Sequence, residues 1–111
     1  MTDILTKLEA VIRSRKGASA DSSYVASLFA KGPEKIAQKL GEEATETVIA
    51  SLGGDPEKLV GEAADLIFHL LILLEQGGVQ FGDVLIELER REGVSGIDEK
   101  QSRNAGPAGS A

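Results

Sequence analysis

The stretch DPEKLVGEAADLIFHLLILLEQGG, residues 55–78, decides the fold. Asp55 followed by Pro56 is a helix start. The aspartate side chain can cap free backbone N–H groups, and proline, already at a helical φ, sits where its missing N–H is not needed. Gly77-Gly78 is the matching stop. Between them lies a helix of about 20 residues, on the order of 30 Å long. The nine residues from Leu66 to Leu74 are all apolar except His69, so apolar side chains cover the whole circumference. A helix of that kind must be buried on every side. A chain of 111 residues with few helices can hardly enclose it alone, which predicts a homodimer with this helix at or near the subunit interface. The run is far short of the roughly 20 apolar residues of a membrane span, so no membrane association is expected.

The same punctuation parses the rest of the chain. Upstream, Gly32-Pro33 opens a helix that runs to about Leu52 and ends at Gly53-Gly54. Before it, Ser23 can cap a short helix carrying Tyr24, Val25, Leu28 and Phe29. Ile4, Leu5, Leu8, Val11 and Ile12 line one face of a first helix that fades at Lys16-Gly17. Downstream, Phe81, Val84, Leu85 and Leu88 predict a last helix closing at Gly93. No useful length alternates with period two, and no internal repeat is present. The expected fold is all-α, with about five helices and an antiparallel, four-helix-bundle-like core completed by homodimerisation. It forms one domain over 1–103, and the Gly/Ala/Ser/Pro tail 104–111 is expected to be disordered.

Composition removes several function classes. Twelve basic against 18 acidic residues leave a net charge of -6, the wrong sign for a general nucleic-acid binder. There are no cysteines, hence no disulfide framework, thiolate metal site or thiol nucleophile. A single histidine excludes the paired Glu-x-x-His motifs of a di-iron bundle. Aromatics are only 4%, so the core must be aliphatic. Residues 1–15 are amphipathic and charged rather than signal-like, and the expected location is the cytoplasm.

The informative residues are acidic ones in apolar surroundings. On the helix from Pro33, the expected core stripe is Ile36, Ala37, Leu40, Ala44, Thr47 and Val48. Glu43 falls at its edge, with Glu46 and Glu42 fanning outward and Lys39 and Lys35 in the same sector. On the next helix Glu62 projects from the middle of an apolar face, flanked by Asp65 and His69. An unpaired carboxylate there costs several kcal/mol or takes up a proton. A short turn makes the two helices antiparallel neighbours, so the acidic faces can meet. Such a cluster needs cations, and all-oxygen ligands suit a hard ion, Mg²⁺ or Mn²⁺ as its substitute. Glu42, Glu43 and Glu46 alone would read as a solvated face, but Glu62 and Asp65 do not fit that description. His69 alone reads as a core histidine with satisfied nitrogens.

Written out, the constellation is Glu42-Glu43-x-x-Glu46, fifteen residues, then Glu62-x-x-Asp65. It resembles the metal motif of the MazG-like all-α nucleoside-triphosphate pyrophosphohydrolases. Further segments narrow the likeness: Ser23-Tyr24, Leu28-Phe29-Ala30-Lys31-Gly32, Lys35-Ile36-x-x-Lys39-x-Gly41, Asp65-Leu66-x-x-His69-Leu70, Glu87-Leu88-x-x-Arg91 and Ser95-Gly96-Ile97-x-Glu99-Lys100-x-x-Arg103. These are similar to the phosphoribosyl-ATP pyrophosphohydrolase family of histidine biosynthesis, over some 80 of the 111 residues. Some relatives carry a fused cyclohydrolase domain, and the resemblance here is expected to be to the monofunctional form.

The resemblance implies hydrolysis of 1-(5-phosphoribosyl)-ATP to 1-(5-phosphoribosyl)-AMP and pyrophosphate, the second step of the pathway. Cleavage between the α- and β-phosphates needs charge neutralisation and an activated water, which carboxylate-held Mg²⁺ supplies. Within it Glu43, Glu46, Glu62 and Asp65 are the expected metal ligands. Glu42 is a further ligand or the base that orients the attacking water. Lys31, Lys35 and Lys39 are candidate phosphate contacts, equally readable as surface charges. Arg91, Lys100 and Arg103 are candidates for the phosphoribosyl end, across the dimer. Two other readings use the same residues: a housekeeping hydrolase of ordinary or damaged nucleoside triphosphates, and a non-enzymatic helical dimer binding a structural cation or a basic partner.

Overall fold

The computed structural model describes residues 2–92, which form five α-helices and, among the described residues, no strand. They are α1 (Thr2–Arg15), α2 (Tyr24–Lys31), α3 (Pro33–Leu52), α4 (Pro56–Gln76) and α5 (Phe81–Arg91). The expected all-α class is observed. The boundary at 103 and the tail 104–111 lie outside the described residues.

Local chemistry sets the helix ends as the sequence suggests. The Ser23 hydroxyl accepts from the Ala26 amide at 3.0 Å and caps α2. The Asp55 carboxylate accepts from the Glu57 and Lys58 amides at 3.1 and 3.4 Å and caps α4. Gly32 both ends α2 and starts α3. Its amide donates to the Leu28 carbonyl and its own carbonyl accepts from the Ile36 amide. Its φ of 97° is open to glycine and strained for any side chain, so two helices abut here without a linker.

The chain divides into two units, Met1–Phe81 and the part from Gly82 onward. In the first unit the main helix pairings are α1 with α2 and α4 and α3 with α2 and α4, with α3–α4 the most extensive. The core joins Ile12 of α1, Val25 and Leu28 of α2, Ile36 of α3, and Leu71 and Ile72 of α4. Each fully buried aliphatic of this kind contributes about 1.5–3 kcal/mol relative to exposure. At the far end of α4, Glu75 accepts from Arg13 Nε at 3.0 Å and pairs with Lys16 Nζ at 3.5 Å. Lys16 also donates to the Glu75 carbonyl, satisfying an end-of-helix acceptor. Glu9 accepts from the Phe81 amide at 2.8 Å. In the second unit the described residues continue α5, where Glu87 binds both Arg90 and Arg91.

One expectation about faces needs correction. The buried side of α3 is Ile36, Leu40, Glu43, Thr47 and Ala50, while Ala37 and Val48 are exposed. The face is therefore turned by roughly 60° from the one drawn through the apolar residues, and Glu43 lies inside it rather than at its edge. On α4 the chain leaves Leu66, Phe68, Leu70, Leu73 and Leu74 only partly covered and Ile67 exposed. The described residues of one copy do not enclose this helix.

Candidate metal and substrate site

The α3–α4 hairpin carries the site. Its three-residue turn at 53–55 brings the helices back antiparallel, with Thr47 opposite Glu62. The Thr47 hydroxyl lies 2.8 Å from the Glu43 carbonyl and 3.1 Å from the Glu62 carbonyl, and shares its proton between them. One hydroxyl thus links the two turns that hold the acidic side chains. The link was missed in the sequence, where Thr47 reads only as part of a core stripe. A threonine one turn after an inward glutamate was the available signal, because its hydroxyl can bond the carbonyl four residues back.

Above this link Glu43, Glu62 and Asp65 converge, each with a carboxylate oxygen within 4.8 Å of the other two. Glu43 and Glu62 are half-buried and Asp65 is exposed. Among the described residues no lysine or arginine pairs with any of them. Like charges at this separation repel by about 3–4 kcal/mol per pair at an effective dielectric near 20. The donor set is three hard oxygens, the chemistry that Mg²⁺ and Mn²⁺ prefer. The residues present fit a divalent cation.

The other expected site residues are placed differently. Glu46 is exposed and is not one of the three that converge. Glu42 is exposed; it accepts from Gln38 Nε2 at 2.9 Å and Lys39 Nζ at 3.2 Å. These two donors hold its pKa below the ordinary carboxylate value, Gln38 contributing most. The same bond to Glu42, with the nearby Tyr24, raises the pKa of Lys39. Lys35 is half-buried within electrostatic reach of Glu42, and Lys31 is exposed at the end of α2. Arg91 is engaged at 2.8 Å by Glu87 of its own helix. Lys100 and Arg103 lie outside the described residues.

His69 and Tyr24 complete the neighbourhood. His69 is buried in α4, with Nδ1 2.8 Å from the Asp65 carbonyl and Nε2 2.8 Å from the Tyr24 hydroxyl. The two rings meet edge to face at 5.7 Å. Burial raises the phenol's pKa; Lys39 pulls it down, while Glu43, Asp65 and Glu42 push it up. The hydroxyl therefore senses Glu43 and Asp65 of the converging group. Both imidazole nitrogens are satisfied, as a core histidine requires.

A model of the phosphoribosyl-ATP pyrophosphohydrolase family matches residues 5–92 of this chain. The chain belongs to the phosphoribosyl-ATP pyrophosphohydrolase family. It is 59% identical over 106 residues to a phosphoribosyl-ATP pyrophosphatase of Rhizorhabdus wittichii, covering 96% of this chain and 100% of that protein. It is 64% identical over 99 residues to one from Erythrobacter litoralis, covering 89% and 95%. Against one from Novosphingobium aromaticivorans it is 62% identical over 102 residues, covering 92% and 95%. The match to the family contains the converging carboxylates, the Thr47 link and the Tyr24–His69 pair, and stops before Lys100 and Arg103.

Proposed function

We infer that this chain hydrolyses 1-(5-phosphoribosyl)-ATP to 1-(5-phosphoribosyl)-AMP and pyrophosphate, a step of histidine biosynthesis. The observation that carries the reading is the convergence of Glu43, Glu62 and Asp65, none of them in an ion pair with a lysine or arginine among the described residues, in a chain of this family. An acidic protein can receive so anionic a substrate at that place only if a metal inverts the local sign.

Glu43, Glu62 and Asp65 hold Mg²⁺, or Mn²⁺ in its place, and Glu46 joins them from the next turn of α3. A divalent ion bound there neutralises charge on both sides of the bridging oxygen and makes water a better nucleophile. The water oxygen bonds to phosphorus as the bond to the bridging oxygen breaks, and pyrophosphate leaves. Glu42, already turned outward and oriented by Gln38 and Lys39, takes the water's proton. Lys35 and Lys39 contact phosphate from α3 and Lys31 from α2. Arg91, Lys100 and Arg103 serve the phosphoribosyl end.

Two copies pair through α3 and α4 in the cytoplasm. Val48, Ile49, Leu52, Val60 and Ile67 on these helices are exposed in the single chain, and covering them supplies the burial that one copy cannot. Light scattering at micromolar concentration should give the dimer mass; a monomer mass removes this part.

The decisive assay is pyrophosphate release with Mg²⁺ from phosphoribosyl-ATP, from ATP and from deoxynucleoside triphosphates. EDTA-sensitive release from phosphoribosyl-ATP alone is expected. Release from the simple triphosphates instead transfers the chain to housekeeping hydrolysis, and silence on all of them leaves a cation-binding helical protein.

A further inference from the structure

The Tyr24–His69 pair has a direction. The Asp65 carbonyl can only accept, so His69 Nδ1 carries the proton of the bond at 2.8 Å. In the uncharged ring Nε2 then has only a lone pair, and the bond at 2.8 Å to Tyr24 uses the phenolic hydrogen. With its one proton committed inward to a buried imidazole, the Tyr24 oxygen has only lone pairs left for anything arriving from solvent. The residue itself is 49% exposed, so its rim is open to a ligand although its hydroxyl is fixed. Electrostatically that oxygen shares its surroundings with Lys39, Glu42, Glu43 and Asp65.

A fixed acceptor beside a triphosphate site selects among the groups of a nucleotide. The ionised phosphate oxygens are acceptors and gain nothing from it. Donors are the sugar hydroxyls and the N–H groups of the base. Of these, the sugar hydroxyls lie nearest the α-phosphate that the carboxylate-held cation must reach. We propose that Tyr24 is a substrate-contact residue that accepts a hydrogen bond from a sugar hydroxyl of the nucleotide, and that His69 is the positioning residue that keeps the phenol in this role. The substrate offers such a hydroxyl on two sugars, the adenosine ribose and the phosphoribosyl group. The proposal rests on the hydrolysis reading above and adds to it a residue pair outside the acidic motif.

The test uses the full chain with Mg²⁺ and phosphoribosyl-ATP. Tyr24→Phe keeps the ring and removes the acceptor; KM should rise about three- to tenfold, the value of one neutral hydrogen bond, with kcat little changed. His69→Phe should give a similar rise, since nothing then orients the phenol. The double variant should be no worse than either single one, because both act through one contact. His69→Gln, whose amide oxygen can take the place of Nε2, should recover part of the loss. The inhibition constant of ATP assigns the sugar: weaker inhibition in Tyr24→Phe places the contact on the adenosine ribose, and unchanged inhibition beside a raised KM places it on the phosphoribosyl group. An unchanged KM in a folded Tyr24→Phe overturns the proposal. So do losses that add in the double variant, which would make His69 merely structural. Inactivity of the wild-type chain on every triphosphate would be a different failure, that of the hydrolysis reading itself.

Discussion

The two ends of α4 treat carboxylates in opposite ways. Near its C-terminus Glu75 is nearly covered, and the chain supplies two cations to it, Arg13 and Lys16. In its N-terminal half Glu62 and Asp65 meet Glu43, and among the described residues no lysine or arginine forms an ion pair with any of the three. The first arrangement is finished within the protein: its charges are balanced and a carbonyl at the helix end is satisfied. The second carries charge that no lysine or arginine among the described residues pairs with, and that a cation from outside can balance. An acidic residue on an apolar helix therefore says little by itself; whether the fold brings a cation to it separates a structural carboxylate from one kept for a ligand.

The sharpest way to break this contrast is to neutralise one residue at each end. Glu62→Gln should lower kcat/KM for pyrophosphate release by more than about a hundredfold, since a metal's share of transition-state stabilisation is several kcal/mol. Circular dichroism should show the fold intact. Activity close to wild type in that variant removes Glu62 from the site. Thr47→Val comes next. It deletes the hydroxyl shared by the Glu43 and Glu62 carbonyls, and should cost about 1 kcal/mol of stability in urea titration together with a severalfold loss of turnover. A loss of stability alone would mean that the link does not set the ligand geometry.

Glu75→Gln is the counterpart and should do the reverse. It leaves Arg13 and Lys16 without their shared partner. Because both cations are about half exposed, the cost is no more than about 1 kcal/mol, read as a thermal midpoint lowered by a few degrees. Turnover should stay at the wild-type level. A fall in turnover without a fall in stability would erase the distinction between the two ends.

The smallest effect concerns α5, where Glu87 is also matched by cations, Arg90 and Arg91, but wholly at the surface. Bonds to the two arginines hold its pKa at about 2, against an ordinary value of 4.5. A depressed carboxylate stabilises above its unfolded pKa and loses that contribution as pH falls through the folded one. The window is therefore about pH 4.5 down to about 2. An NMR titration of the Glu87 carboxyl should show its midpoint near the lower value, and a midpoint at the ordinary value would show that the arginines do not hold it.

The legible part of this fold was its punctuation. Ser23, Gly32-Pro33, Asp55-Pro56 and Gly77 act through local backbone chemistry, so sequence alone places the helix ends that the structure shows. The acidic spacing was legible too, since the sequence alone puts Glu43, Glu62 and Asp65 on two facing helices. The rotation of α3 was not. Ala37 and Val48 are apolar and drew the expected core face toward themselves, while the face that meets α4 carries Glu43 and Thr47. Periodicity assumes that apolar means inward, and this assumption fails where a site puts polar groups inside. Glu46 lies outside the observed face, roughly 80° from its centre, and stays exposed. The Tyr24–His69 bond was illegible for another reason: it joins α2 to α4, and only tertiary packing brings them together.

Calorimetric titration of Mg²⁺ into the metal-free chain tests the central claim most directly, with Glu62→Gln and Glu75→Gln titrated alongside. Binding by the wild type and by Glu75→Gln, and its loss in Glu62→Gln, is the predicted result. A wild-type chain that takes up no divalent cation, or a Glu62→Gln variant that binds it as tightly as the wild type, would contradict the assignment of Glu43, Glu62 and Asp65 as the metal site.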